Sequence, residues 1–244
     1  MDKLELTDAK ELTNQEKEVY RTLRTNLEFT GVENRVIAVT SCGPDEGKST
    51  VSYNLGRTLA SAGKTTLYID ADMRKSILAN RHQIQGIEKG LSHYLSGQAD
   101  MTEVVYSTNK KNFFMLPCGL FPVNPTELLG NGRLDKLLEG LKKTFDYIII
   151  DTPPLGSVID SAVIADECDG SIIVIDAAVV AKRCDGSVLV LEADRTPKSM
   201  AKSVKEQLQA ANPNIVGVVL NKVDTHKGSY YGKKYGSYYG KYYK

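Results

Sequence analysis

Residues 35–63 read RVIAVTS, CGPDEGKST, VSYNLGRTLASAG: a β-rich run, a loop bracketed by glycines and ended by Lys-Ser-Thr, and a helical run closed by Gly63. A glycine-rich loop between a strand and a helix aims backbone N–H groups and a helix N-terminus at phosphate, and little else explains the arrangement. Lys48 is expected to reach the β- and γ-phosphates and the Ser49 hydroxyl to bind Mg²⁺, with Gly43, Asp45, Glu46, Gly47 and Thr50 completing the nucleotide loop. The strict pattern has glycine six residues before the lysine. Cys42 stands there, and Gly43 beside it is expected to supply the tight turn.

The rest of the chain extends this unit. TTLYIDADMR (65–74) and YIIIDTPP (147–154) are apolar runs that end in acids, and GVVLNKVD (217–224) closes the body as a last strand. Strands apolar on both faces and separated by helical stretches predict a doubly wound, mainly parallel sheet covered on both sides, with the ligand at the strands' carboxyl ends. Asp151 stands where such folds hold Mg²⁺ through a carboxylate. Asp70 and Asp72 share one side of their strand, so one can hold the ion while the other takes a hydroxyl proton. Ahead of the sheet, EKEVYRTLRTNLEFT (16–30) spaces Val19, Leu23 and Leu27 for an amphipathic helix with Arg21 and Arg24 to one side.

The chain's 244 residues suit one α/β domain with appendages. Its last seventeen residues, GSYYGKKYGSYYGKYYK, hold seven of the thirteen tyrosines, no aliphatic residue, and a glycine every fourth position. Such a segment is expected to remain disordered. Net charge is +1, and five of the positive charges are lysines of residues 226–244, where there is no acid, so the remainder carries −4. Cys42, Cys118, Cys168 and Cys184 form no CxxC pair, and His82, His93 and His226 have no ligand spacing. No apolar run of about 18 residues is present, so a membrane role needs a partner.

EVYRTLRTNLEF, GPDEGKST, LYIDADMR, YIIIDTPP, NPTELL (124–129) and the tyrosine-rich tail together resemble the bacterial tyrosine kinases (BY-kinases), in the cytoplasmic form of Gram-positive capsule and exopolysaccharide systems. The resemblance covers nearly the whole chain. It implies a P-loop NTPase fold of the MinD/ParA-like subclass in three parts: a helical oligomerisation segment (1–34), a kinase domain (35–225) and an autophosphorylation tail (226–244). It implies ATP and Mg²⁺ held by Lys48, Ser49 and Thr50, metal-shell roles for Asp72 and Asp151, and Asp70 as base. It implies Tyr230, Tyr231, Tyr235, Tyr238, Tyr239, Tyr242 and Tyr243 as phosphoacceptors in trans. Glu18, Arg21 and Arg24 match the pattern that builds a ring of subunits, an octamer being one size it allows. A membrane adaptor of the polysaccharide co-polymerase type, a cognate tyrosine phosphatase and a cytoplasmic place at the membrane's inner face complete the expectation. Nucleic acid is not an expected partner.

The rivals are a MinD/ParA-type switch ATPase, a nucleotide-binding scaffold without turnover, and a protein whose tail stacks on nucleic acid. The first carries a lysine five residues before the P-loop lysine, where this chain has Gly43. The last meets an acidic body with no RNA-binding motif.

One stretch departs from the family pattern. VIDSAVIADECDGSIIVI (158–175) and VIDAAVVAKRCDGSVLVL (174–191) share eleven of 18 positions at an offset of 16, as a tandem duplication would. Almost no residues separate the first copy's strand from the second copy's helix. One copy's worth of residues within 159–190 is therefore expected outside the standard sheet. Asp160 and Asp176 compete for the role of the family's single aspartate.

Overall fold

A computed structural model describes residues 2–7, 11–156, 159–175, 187–192, 198–211 and 215–221. They form two compact units, divided between Ile175 and Asp176.

The first unit is a seven-stranded sheet with helices. Its strands are β1 (Lys3–Leu4), β2 (Val36–Ser41), β3 (Thr66–Asp70), β4 (Tyr106–Thr108), β5 (Phe113–Leu116), β6 (Tyr147–Asp151) and β7 (Gly170–Val174), in the order β1-β4-β5-β3-β6-β2-β7. All neighbouring pairs are parallel except β4 with β5. The helices are α1 (Asn14–Phe29), α2 (Lys48–Ser61), α3 (Leu78–Arg81), α4 (Leu91–Leu95), α5 (Met101–Val104), α6 (Pro125–Leu129), α7 (Arg133–Leu141) and α8 (Asp160–Asp166).

The apolar strands are apolar because both faces are covered. Ile37, Val39 and Ile149 pack with Leu27 of α1 and with Leu55 and Leu59 of α2. Val36, Leu67, Ile69, Ile148 and Ile150 pack on the other side with Leu134, Leu137, Leu138 and Leu141 of α7 and Ile164 of α8. A third cluster joins Tyr68, Phe113 and Met115 with Leu4 and Tyr53, so side chains that alternate along each strand feed apolar clusters on both faces of the sheet.

Thr13 and Glu16 start α1 with a capping box: the Glu16 amide donates to Thr13 Oγ1 at 3.2 Å and the Thr13 amide to Glu16 Oε2 at 2.7 Å. Only the C-terminal end of the helix's apolar stripe is covered. Leu27 is buried and Leu23 half-buried, whereas Val19 is 60% exposed.

The first copy of the duplicated stretch supplies α8 and β7, and β7 is bonded to β2 within the large sheet. The second unit contains β8 (Ser187–Glu192), which belongs to the second copy, then α9 (Lys198–Ala211) and β9 (Ile215–Asn221). There β8 and β9 pair in parallel as a separate two-stranded sheet, joined through a helix in the ordinary manner of parallel neighbours. The closing strand expected at 217–224 is therefore β9, and its bonded neighbour is β8. Asp176 and the tail tyrosines lie outside the described residues.

Candidate active site

Strands β3, β6 and β2 lie side by side, and their register sets Asp70 and Val39 on the two flanks of Asp151. The loops leaving all three carboxyl ends therefore gather at one edge of the sheet, with Asp151 standing between Asp70 on one side and the strand that leads into the phosphate loop on the other.

The loop turns on two left-handed residues, Asp45 (φ 61°) and Gly47 (φ 92°), and α2 begins at Lys48. Aspartate tolerates that backbone region better than most residues, and glycine adopts it freely. The Glu46 carboxylate folds back on the loop and accepts from the amides of Cys42 (2.9 Å) and Gly43 (3.1 Å). The segment after β6 braces the loop from the side, with the Gly156 amide donating to the Cys42 carbonyl at 3.0 Å. A Cβ on Gly156 would stand 2.3 Å from that carbonyl oxygen, so only glycine fits there.

Lys48 gathers the charged groups. Its Nζ lies 3.2 Å from Asp72 Oδ2, 4.0 Å from Asp151 Oδ1 and 3.3 Å from Ser49 Oγ. Asp70, Asp72 and Asp151 are all buried. Asp70 Oδ1 accepts from the Asp72 amide at 3.2 Å, and its Oδ2 accepts from the Ser76 hydroxyl. Asp72 Oδ1 accepts from the amides of Arg74 (3.3 Å) and Lys75 (3.0 Å). The Tyr68 hydroxyl, fully buried on β3, donates to Asp151 Oδ2 at 3.1 Å.

Burial, followed by the charge of Asp151, pushes the Asp70 carboxyl up to about 7, although the Ser76 hydroxyl and the Asp72 amide oppose it. Burial also raises Asp151, against the Lys48 charge and the Ser49 and Tyr68 hydroxyls. Tyr68 is driven well above its usual value by burial and then by Asp151 and Asp70. A carboxylic acid poised near neutrality is how a site keeps a proton acceptor usable at physiological pH.

The donor set suits Mg²⁺. Two buried carboxylates, Asp72 and Asp151, face one lysine, and Asp151 Oδ1 is buried without a hydrogen-bond partner among the described residues. Those residues contain no group of three or more acids, histidines or cysteines close enough to form a cage by themselves. Mg²⁺ rarely uses such a cage: it keeps several waters and takes one or two carboxylates plus substrate phosphates.

The sheet thus brings together Lys48, Ser49, Asp70, Asp72 and Asp151, five residues from three separate stretches of the sequence, with Gly43, Asp45, Glu46 and Gly47 in the adjoining loop. Thr50 faces α3, where its hydroxyl accepts from Arg81 Nη1 at 2.9 Å. Glu18 and Arg21 pair at 3.1 Å, both exposed, while Arg24 Nε lies 3.8 Å from Glu28. His82 is a core histidine stacked on Tyr53, with ring centroids 3.9 Å apart. Sequence reasoning passed over Tyr68, Ser76, Arg74 and Thr126. Arg74 sits inside the LYIDADMR motif and Thr126 inside NPTELL, and that was the available signal.

Residues 34–210 match a family described as "AAA domain". Over 240 residues, 96% of this chain and 98% of the relative, the sequence is 40% identical to "Tyrosine-protein kinase CpsD" of Streptococcus agalactiae. The chain belongs to the bacterial tyrosine kinase family. This BY-kinase is accordingly a protein-tyrosine kinase with an ATP-binding P-loop fold. It superposes on the kinase domain of the Escherichia coli tyrosine kinase ETK with a TM-score of 0.62 at 30% identity, covering 86% of this chain and 78% of that one. The septum site-determining protein MinD of Pyrococcus horikoshii, solved with Mg-ADP, gives a TM-score of 0.52 at 22% identity over 77% of this chain and 82% of its own. That likeness concerns the fold alone. The BY-kinase has the mainly parallel sheet and P-loop NTPase architecture that its sequence predicts.

Proposed function

We propose that this BY-kinase moves the γ-phosphoryl group of ATP onto tyrosines of its own C-terminal segment, acting on a neighbouring subunit, and thereby regulates capsular or exopolysaccharide synthesis and export. The observation that carries this reading is the convergence of Lys48, Ser49, Asp72 and Asp151 around one point, with Asp70, near-neutral in its proton affinity, beside them.

In this reading the amides of the 43–50 loop and the N-terminus of α2 cradle the phosphates. Lys48 leaves Asp72 to neutralise the β- and γ-phosphates. Ser49, Asp72 and Asp151 hold Mg²⁺, which when bound offsets the charge that spreads over the transferring group. Asp70 accepts the proton of the incoming tyrosine hydroxyl as the phenolic oxygen bonds to the γ-phosphorus, and ADP departs as the leaving group. Phosphoryl transfer asks for positioning and charge stabilisation more than covalent chemistry, so a glycine-rich segment without aliphatic residues suits as the acceptor. Tyr230, Tyr231, Tyr235, Tyr238, Tyr239, Tyr242 and Tyr243 are the acceptors.

Incubation with ATP and Mg²⁺, with and without the cytoplasmic segment of a polysaccharide co-polymerase-type adaptor, is expected to place phosphate on Tyr230–Tyr243, as read by peptide mapping. Nucleotide binding with an unmodified tail under both conditions would favour a scaffold without turnover. Among the described residues no helix is long and apolar enough to cross a membrane. A place at the inner face of the membrane would thus come through the adaptor, and a tyrosine phosphatase would reset the tail.

The ring belongs to the same proposal. Glu18, Arg21 and Arg24 lie on α1, which also leaves Val19 60% and Phe29 84% exposed, as a subunit contact surface requires. Each phosphotyrosine adds about −1.5 to −2 of charge. Three of them, about −4.5 to −6 together, cancel the tail's five lysines, and a fourth sets it against a body of charge −4. Sedimentation is expected to show the dephosphorylated protein as the larger assembly, and equal sizes would refute this part.

A further inference from the structure

Two residues beyond Asp72 the chain is tied to two distant helices. Arg74 Nε donates to Asp160 Oδ2 at 2.7 Å and its Nη2 to Asp160 Oδ1 at 3.2 Å, a two-pronged pairing of guanidinium and carboxylate. The same Nη2 donates to Thr126 Oγ1 at 3.2 Å, and the Thr126 hydroxyl donates in turn to Asp160 Oδ1. Asp160, first residue of α8, is 1% exposed, while the Arg74 side chain is 41% exposed. The buried acid is therefore the fixed end and the arginine the arm it holds.

The grip is transmitted through the backbone. Asp72 Oδ1 is oriented by the amides of residues 74 and 75, and Asp72 Oδ2 faces Lys48. Holding the Arg74 side chain holds those amides, and the amides aim the carboxylate. A two-pronged arginine–carboxylate pair imposes direction as well as attraction, and partners one step removed from a metal ligand typically change metal affinity by about 10–100-fold when lost.

We infer that Arg74, Thr126 and Asp160 form a clamp that positions Asp72 toward the phosphates and their Mg²⁺, and that the first copy of the duplicated stretch, through Asp160 rather than Asp176, holds this role. The inference rests on the proposed metal-shell role of Asp72. Both oxygens of Asp160 are already engaged by Arg74, so the clamp is complete without the second aspartate. These three are positioning residues, since none touches the reacting groups.

The test uses the full chain and a non-hydrolysable ATP analogue, with the dissociation constant measured in EDTA and in Mg²⁺. The ratio of the two is the gain that Mg²⁺ confers. Asp160→Asn and Arg74→Met are each expected to reduce that gain about tenfold. Affinity in EDTA should stay within about twofold, and the double variant should do no worse than either single one. Asp176→Asn is expected to keep the wild-type gain. A gain preserved in Asp160→Asn, or lost equally in Asp176→Asn, overturns the inference. If Asp160→Asn fails to fold, Arg74→Met, altered at a half-exposed side chain, decides the matter by the same ratio. Asp72→Asn separates the two layers: loss there with retention in Asp160→Asn sinks the clamp alone, whereas retention in Asp72→Asn removes the metal-shell reading and the clamp with it.

Discussion

Lys48→Met is expected to abolish phosphate on the tail while leaving a folded protein. The expected loss of rate is at least about 10²-fold, the typical cost of deleting one preorganised group that stabilises transition-state charge. Lys48 serves twice. In the proposed mechanism it is the cation at the β- and γ-phosphates once nucleotide is bound, and in the structure it lies against Asp72 and Asp151. Its removal leaves those two buried acids facing each other, so a stability cost of roughly 3 kcal/mol at pH 8 in EDTA is also expected. Part of that cost should be recovered in Mg²⁺, because a divalent ion restores positive charge between the carboxylates. Peptide mapping of Tyr230–Tyr243 reads the first effect and urea unfolding the second. Tail phosphate that persists in a Lys48→Met protein free of other kinases would end the assignment of Lys48.

How much of this site was legible beforehand depends on the range over which its determinants act. The phosphate loop was legible because strand, glycines, lysine and helix are contiguous and each residue type has a local reason to be there. Asp70, Asp72 and Asp151 were legible as acids ending apolar runs. Their convergence was not, because it follows from the order β3-β6-β2 and from the pairing of Asp70 with Asp151 across 81 positions of sequence. Tyr68 and Asp160 show the same limit. A tyrosine inside LYID reads as an ordinary strand residue until β6 places Asp151 against its hydroxyl, and Asp160 reads only as one of two competing aspartates, with Asp176, until Arg74, 86 residues away, reaches it. Strands β1 and β4, of two and three residues, are too short for any periodicity to show. The duplication was plain in the sequence, yet its consequence was not: only pairing shows β7 joining β2 in one sheet and β8 joining β9 in another.

Asp70→Asn should make the protein more stable and nearly inactive, a combination that separates a base from a structural carboxylate. Burial holds the Asp70 carboxyl at about 7 against an ordinary 3.8. A group whose folded value is raised contributes its stability in full below the unfolded value and loses it as pH rises through the folded one. Wild type therefore carries a growing penalty between about pH 4 and 7 that levels off above, on the order of 4 kcal/mol if the whole shift is expressed. Asparagine removes the charge and keeps both contacts, since its oxygen can accept from the Asp72 amide and its NH₂ can donate to Ser76. In EDTA at pH 8 the variant is expected to melt about 5–10 °C above wild type, with the gap closing toward pH 4. Tail phosphorylation should fall by about 10²–10⁴-fold, and the wild-type rate should rise with pH as Asp70 loses its proton. A variant that melts higher but phosphorylates at the wild-type rate would assign Asp70 to electrostatics alone. One that is inactive with an unchanged melting profile would show that the carboxyl is not strained in the folded chain, and the near-neutral proton affinity invoked for the base would go with it.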